Sequence, residues 1–314
     1  MNTSVNTQGK NKFTLAVVIL NYRTVELTAS TIDAVLPELD RENHVVVVVD
    51  NFSNDGSLEF LERTIKTRDS YNIKLIESER NVGFSAGVNI GIRSIEASYY
   101  LLLNSDAYPR KSAISKLVRC CRDNPLSIIY PSLQFPDGEP QRNYFKDHSY
   151  LSEVIDAAQT GLVTAFLKRW DVSSANANTS DVGWVSFACV LIPKSVFELC
   201  GLLDEGFFLY YEDAEFCRRV RLKGITFVHA PGVNFVHLRG QSGTVKSDIS
   251  LRRRLPMYYY QSRSYYFRKH NGRLGLFLAN LCWYMGRCVS LLRELVKNKL
   301  PHLPPFAHRD IWSE

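Results

Sequence analysis

The chain has 314 residues, 45% hydrophobic and 22% charged, enough for one large α/β domain with an appendage or for two modest domains. Its net charge of +6 is too mild to name a partner, and its seven cysteines, odd in number and without a CxxC spacing, exclude a zinc ribbon and a disulfide framework. The opening "MNTSVNTQGKNKF" lacks the apolar stretch of a signal peptide, so the expectation is a disordered 1–12, reduced thiols and a cytoplasmic chain.

From residue 13 the pattern alternates. "FTLAVVILNY" is an apolar, β-branched run of the kind a strand covered on both faces requires. "VELTASTIDAVLPEL" follows with helical spacing of Leu27, Ile32, Val35, Leu36 and Leu39. "HVVVVVDN" predicts a second strand ending on Asp50, and "DGSLEFLERTIKT" a helix that Asp55 or Ser57 can cap. "NIKLIES", "SAGVNIGIRSIEA" and "YYLLLNSD" predict a third strand, a third helix and a fourth strand ending near Asp106. Strand alternating with helix implies an α/β fold with a mostly parallel, Rossmann-like sheet and helices on both faces.

In such sheets ligands bind beyond the carboxyl ends of the strands. Asp50 and Asp106 both sit there, each either closing a turn or facing a shared ligand crevice. The first turn, "LNYRTVEL", has no glycine, which removes a dinucleotide fingerprint and a phosphate-binding loop. The glycines come later, in "RNVGFSAGVNIGI". There Gly83, Gly87 and Gly91 serve either close helix–sheet packing or a flat ligand against bare backbone, with Asn81 and Asn89 offering amides.

"VVILNYRT", "VVVVDNFSNDGS", "ERNVGFSAGVNIGI", "YYLLLNSDAYP" and the later "GWVSFACVLIPKSVFELCGLLDEGFFLYYEDAEFCRRVRLKGITFVHAPGVNFVHLRGQS" together resemble inverting nucleotide-sugar glycosyltransferases of the GT-A fold, glycosyltransferase family 2. They are most similar to the bacterial rhamnosyltransferase-like branch that builds surface polysaccharides such as O-antigen. The resemblance covers about residues 14–243. It implies a nucleotide-sugar donor, with dTDP-rhamnose first and a UDP-hexose or UDP-galactofuranose second, and a saccharide or lipid-linked acceptor. A non-catalytic sugar-binding relative is the rival of a different class. Asn21, Tyr22, Asp50, Asn81, Gly83, Asn89 and Asn104 would line the donor site, with Asp50 on the nucleobase. Asn104-Ser105-Asp106 stands where the family has its D-x-D metal motif, so Asp106 would hold Mg²⁺ or Mn²⁺, joined by His237. The departure is Asn104, an amide where the family's first carboxylate stands. One carboxylate suffices for a hard cation that also binds phosphate oxygens and water.

In the second half, "YYEDAEFCRRVRLKG" reads as a helix from Glu212. Asp213, Phe216, Cys217 and Val220 share its apolar face, and Glu212, Glu215 and Arg219 are expected on the opposite, solvated face. Asp213 is either a helix-start carboxylate or, as the resemblance implies, the general base, with Glu212 beside it orienting the acceptor. Phe207, Phe208, Tyr210 and Tyr211 form either a sugar platform or core, while Trp184, Tyr211 and Arg219 are expected on the acceptor side. Residues 136–181 look loop-rich and are expected to form a mobile segment over the active site, with a short amphipathic helix near "LSEVIDAAQTGLVTAFLKRW".

The expected organisation is a glycosyltransferase domain over 13–250, with a nucleotide half at 13–110 and an acceptor half at 111–250, then a basic, aromatic helical region over 251–314. In that region, 274–292 is long enough to cross a membrane, but Asn280 and Arg287 interrupt it. A helix lying on the inner face of the cell membrane is expected, with packing on its own domain or on a second subunit as the other reading. Nucleic acid is not expected.

Overall fold

A computed structural model describes residues 13–176, 181–238, 240, 245–297 and 303–313; the expected disorder of 1–12 lies outside the described residues. The first half follows its hydrophobic pattern. β1 (Phe13–Asn21), α1 (Val25–Val35), β2 (His44–Asp50), α2 (Ser57–Lys66), β3 (Ile73–Glu77), α3 (Gly83–Arg93) and β4 (Ala97–Asn104) succeed one another. Their strands pair in parallel in the order β3-β2-β1-β4.

Alternate residues of these strands serve two cores. Leu15, Val17 and Ile19 of β1 pack with Ile32 of α1 and Leu61 of α2, while Ala16 and Val18 pack with Val88 and Ile92 of α3. The helix α3 lies so close to the sheet that a Cβ on Gly87 would fall 2.5 Å from Leu20 Cδ1. Gly87 and Gly91 are therefore packing glycines, the first of the two roles open to them.

The second half continues with β5 (Ala107–Pro109), α4 (Ala113–Asp123), β6 (Ser127–Gln134), β7 (Pro140–Gln141), β8 (Tyr144–Phe145), α5 (Tyr150–Ala158), α6 (Gly161–Phe166) and β9 (Trp184–Val185). After these come β10 (Cys189–Pro193), α7 (Lys194–Cys200), α8 (Glu212–Arg221), β11 (Thr226–His237), α9 (Val245–Ser250), α10 (Met257–Lys297) and α11 (Ala307–Asp310). Here the sheet turns mixed. β10 runs antiparallel between β4 and β6, and β11 is parallel to β6 but antiparallel to β5. The first residues of β10 pair with the last of β4, so the segment between β6 and β10 starts and ends at the edge where β1, β2 and β4 finish. That edge carries the site.

The expected covering segment is in fact anchored. Within it α5 packs along α10, and buried Arg263 of α10 donates to Glu153 Oε2 of α5 through Nε at 2.8 Å and Nη2 at 2.5 Å. Asn280 Oδ1 accepts from the same guanidinium at 2.8 Å. α10 breaks at Gly272, whose φ of +68° no helix accommodates, into segments 257–271 and 273–297.

Candidate active site

A cavity of about 530 Å³ opens beyond the carboxyl ends of β1, β2 and β4. Tyr22, Asn51, Asn81, Gly83 and Asn104 line it from the first half, and Phe208, Tyr210, Glu212, Asp213 and His237 from the second.

Not every expected donor-site residue reaches it. Asn21 is buried behind the wall, donating through Nδ2 to Asp50 Oδ1 at 2.6 Å and accepting from Thr28 Oγ1 at 2.7 Å. Asp50 accepts in addition from the Ser53 amide at 3.0 Å and the Ser53 hydroxyl at 2.6 Å. Both side chains hold the β1 and β2 turns together, and neither lines the cavity. The cavity lining there comes from the next residue, Asn51, itself buried. Asn51 Nδ2 donates to Asn81 Oδ1 at 2.9 Å and to the Gly83 carbonyl at 3.1 Å, and Asn51 Oδ1 accepts from the Val82 amide at 3.1 Å.

Asn89 is corrected outright. It is fully buried, and its amide closes both ways on the Leu203 backbone, at 2.8 and 3.1 Å, tying α3 to the second half. Gly83, by contrast, is required at the wall: its φ is +80° and a Cβ would lie 2.3 Å from the Phe208 carbonyl oxygen.

Asp106 behaves unlike Asp50. Its carboxylate is buried, yet neither oxygen accepts a hydrogen bond, and His237 Nε2 lies 3.3 Å from Oδ1. Gln141 Nε2 donates to the His237 carbonyl at 3.0 Å, which orients Gln141 Oε1 toward His237 Nδ1 at 2.6 Å. The network thus assigns the proton to Nδ1 and turns the Nε2 lone pair toward the carboxylate. Two acceptors 3.3 Å apart in a buried place suit a cation between them. The donor set, one carboxylate and one imidazole with a second-layer amide fixing the tautomer, fits a divalent ion that takes its other ligands from phosphate and water. Among the described residues no third His, Cys, Asp or Glu joins them.

On the opposite wall α8 begins after two residues of left-handed backbone, Tyr210 at φ +71° and Tyr211 at φ +69°. Paired left-handed tyrosines are costly and persist where the surroundings over-determine them. The aromatics around them divide between cavity and core. Phe208 and Tyr210 line the cavity, whereas Phe207 and Tyr211 are buried, Tyr211 against Tyr266 and His148. Tyr211 therefore supports the site from behind.

Asp213 faces the cavity, with Oδ1 accepting from the Ala214 amide at 2.8 Å. Burial pushes its carboxyl up to about 7. Burial, and then the neighbouring Asp213, hold Glu212 well above the carboxylate range, and Glu212 Oε2 is buried without a partner. The expected wet face of α8 is overturned by packing. Glu215 is fully buried, bonded to Arg219 at 3.1 and 3.0 Å and to Lys269 of α10 at 2.7 Å. Arg219 spends its other hydrogens on the Cys200 and Leu202 carbonyls, so it braces α8 and does not reach the cavity. Trp184 stacks on Phe145 at 4.2 Å and also lies outside the lining.

Among the cavity or supporting residues that the pattern left unassigned are Asn51, Gln141 and Tyr258, the last reaching the cavity from α10. Asn51 was legible as the polar neighbour of a strand-end acid. Gln141 and Tyr258 carry no local signal, since each acquires its place through contacts far along the chain.

Comparison with known proteins follows the same division. The family "Glycosyl transferase family 2" matches residues 16–198, β1 through α7. The dTDP-rhamnosyl transferase of Shigella flexneri is 28% identical over 279 residues, covering 87% of this chain and 86% of that protein. The low-salt glycan biosynthesis hexosyltransferase of Haloferax volcanii is 28% identical over 227 residues, 71% of this chain and 66% of the relative. Among solved structures, the mannosyltransferase of Pyrobaculum calidifontis, in complex with GDP-mannose and Mn²⁺, superposes with a TM-score of 0.56 at 14% identity, over 92% of this chain and 76% of that one, a likeness of fold. With more than half of its length matched, and a GT-A arrangement of strands that ends on this cavity, the chain belongs to glycosyltransferase family 2 and is a glycosyltransferase that uses a nucleotide-sugar.

Proposed function

We propose an inverting rhamnosyl transfer from dTDP-rhamnose to a saccharide or lipid-linked acceptor in surface polysaccharide synthesis. The observation that carries the transfer is the convergence of Asn104, Asp213 and His237, the last in contact with Asp106, on one cavity. The Shigella relative named as a dTDP-rhamnosyl transferase, matched over most of both chains, supports the choice of sugar. The Haloferax relative keeps a hexosyl donor as the second reading.

In this reading Asp213 Oδ receives the proton of the acceptor hydroxyl while that oxygen bonds to the anomeric carbon. The bond from that carbon to the diphosphate oxygen breaks on the opposite face, which inverts the centre. A base near 7 is matched to neutral pH, ionised yet still basic enough to take the proton. Glu212, held toward its protonated form beside it, is a donor available to the acceptor sugar. Phe208 and Tyr210 offer apolar faces to a ring, and the Asn51–Asn81–Gly83 wall offers amides and backbone to the nucleoside side. Asp106 and His237 would hold a Mg²⁺ or Mn²⁺ ion, which supplies Lewis-acid stabilisation to the departing diphosphate.

Thermal protection by a panel of dTDP- and UDP-sugars, with and without Mn²⁺, followed by transfer assays with the best ligand, tests the proposal. dTDP-rhamnose with Mn²⁺ should give the largest shift. A larger shift by a UDP-hexose moves the choice to the second reading, and protection indifferent to metal removes Asp106 and His237 from the metal role.

A further inference from the structure

The second segment of α10 is two-sided. Its buried side packs on α5 and carries every interruption of the apolar run: Asn280 is held by Arg263 and the Ile311 carbonyl, and Arg287 by Glu294 and Ser290. Its outer side is apolar without a break. Leu274, Phe277, Leu281, Met285, Leu292 and Leu295 recur at helical spacing and are between 47% and 78% exposed. At 1.5 Å per residue the stripe is about 30 Å long. So long an exposed apolar face marks an interaction surface.

Charge says what covers it. Residues 251–314 hold 12 Lys and Arg against 3 Asp and Glu, whereas residues 1–250 hold 26 against 29. The whole positive excess of the chain thus lies in its last fifth. Within that region the described acids are spent inside, Asp310 on Arg254 at 2.6 Å and Glu294 on Arg287 at 2.9 Å. Arg252, Arg253, Arg273 and Arg309 are exposed. Trp312, also exposed, sits beside Phe277 at 6.3 Å, the kind of ring that settles at a lipid headgroup level. A second copy would bring the same cationic region against itself, a repulsion that an anionic bilayer turns into attraction.

We infer that α10 docks on an anionic lipid surface, its outer face sunk among the acyl chains and its arginines at the headgroups, with α5 and the catalytic half on the water side. It lies in the interface rather than crossing it, because the opposite side of the helix is built into the protein. Of the region's other cations, Arg254, Arg263 and Lys269 are paired with Asp310, Glu153, and Asp204 and Glu215. The first segment of α10 carries Tyr258 in the cavity wall, which would bring the site near a lipid-linked acceptor. That last step alone rests on the proposed transfer.

Co-sedimentation of the full chain with vesicles of phosphatidylcholine, alone or mixed with phosphatidylglycerol, tests it without donor or acceptor. Binding to the mixed vesicles should exceed binding to phosphatidylcholine by at least ~10-fold at low salt. The double variant Leu281→Glu/Met285→Glu should lose at least ~10-fold of it, two half-buried aliphatic contacts being removed, with melting temperature and donor protection unchanged. Absent wild-type binding, binding indifferent to lipid charge, or a dimer that dissolves in the double variant would each overturn the inference. Donor protection is read separately, so it stands or falls without reference to the vesicles.

Discussion

At the end of β2, Asp50 is surrounded by donors from Asn21 and Ser53, whereas Asp106, two residues past β4, is as deeply buried and accepts from none. The contrast extends to the regions around them. In the first half the strand-end polar groups satisfy one another, and the cavity wall they make is a scaffold. Past β4 and on the opposite wall, Asp106, Glu212 and the imidazole of His237 leave buried acceptors facing acceptors or nothing. Buried acceptors left without a donor beside the cavity are the ones free to act on a ligand.

The largest expected effect falls on Asp213. Asp213→Asn should lower turnover at least ~100-fold, as loss of a general base does, while thermal protection by the donor persists. Turnover that survives would place the base elsewhere. Next comes the contrast itself. Asp106→Asn should lower transfer by about 10- to 100-fold and abolish the Mn²⁺-dependent part of donor protection at little cost in stability. Asp50→Ala should do the reverse, costing about 2–3 kcal/mol by orphaning buried donors and leaving turnover per folded molecule within a few-fold of wild type. Denaturant titration beside kinetics reads both, and interchange of the two outcomes would break the comparison.

Smaller still is the pH profile. kcat/KM should climb with pH through a midpoint of about 7 as Asp213 ionises, and the acid limb should vanish in Asp213→Asn. The smallest effect is on stability. Burial raises the folded carboxyl from 3.8 to about 7, so folding favours the proton and the ionised form costs stability as pH rises across that window. Asp213→Asn should therefore melt above wild type at pH 8 and level with it near pH 4, measured by calorimetry.

Much of this was readable from residue order. The apolar runs of β1, β2 and β4 announce strands because both faces must be buried, and the 3.6-residue spacing of α8 announces Phe216, Cys217 and Val220 as core. The same spacing misplaced Glu215, because Lys269, 54 positions on, covers it from another helix. Asn89 and Arg219 were mistaken for ligand contacts for a related reason: their partners, Leu203 and the 200–202 carbonyls, are neighbours only after folding.

Local pattern is a property of neighbouring residues, and it was enough to establish the strands, the helices and the edge at which polar groups gather. Whether a given acid is spent or held in reserve depends on who donates to it. Asp50 meets Ser53 three residues away, but His237 meets Gln141 across 96, and separations of that size are closed only by the packed chain.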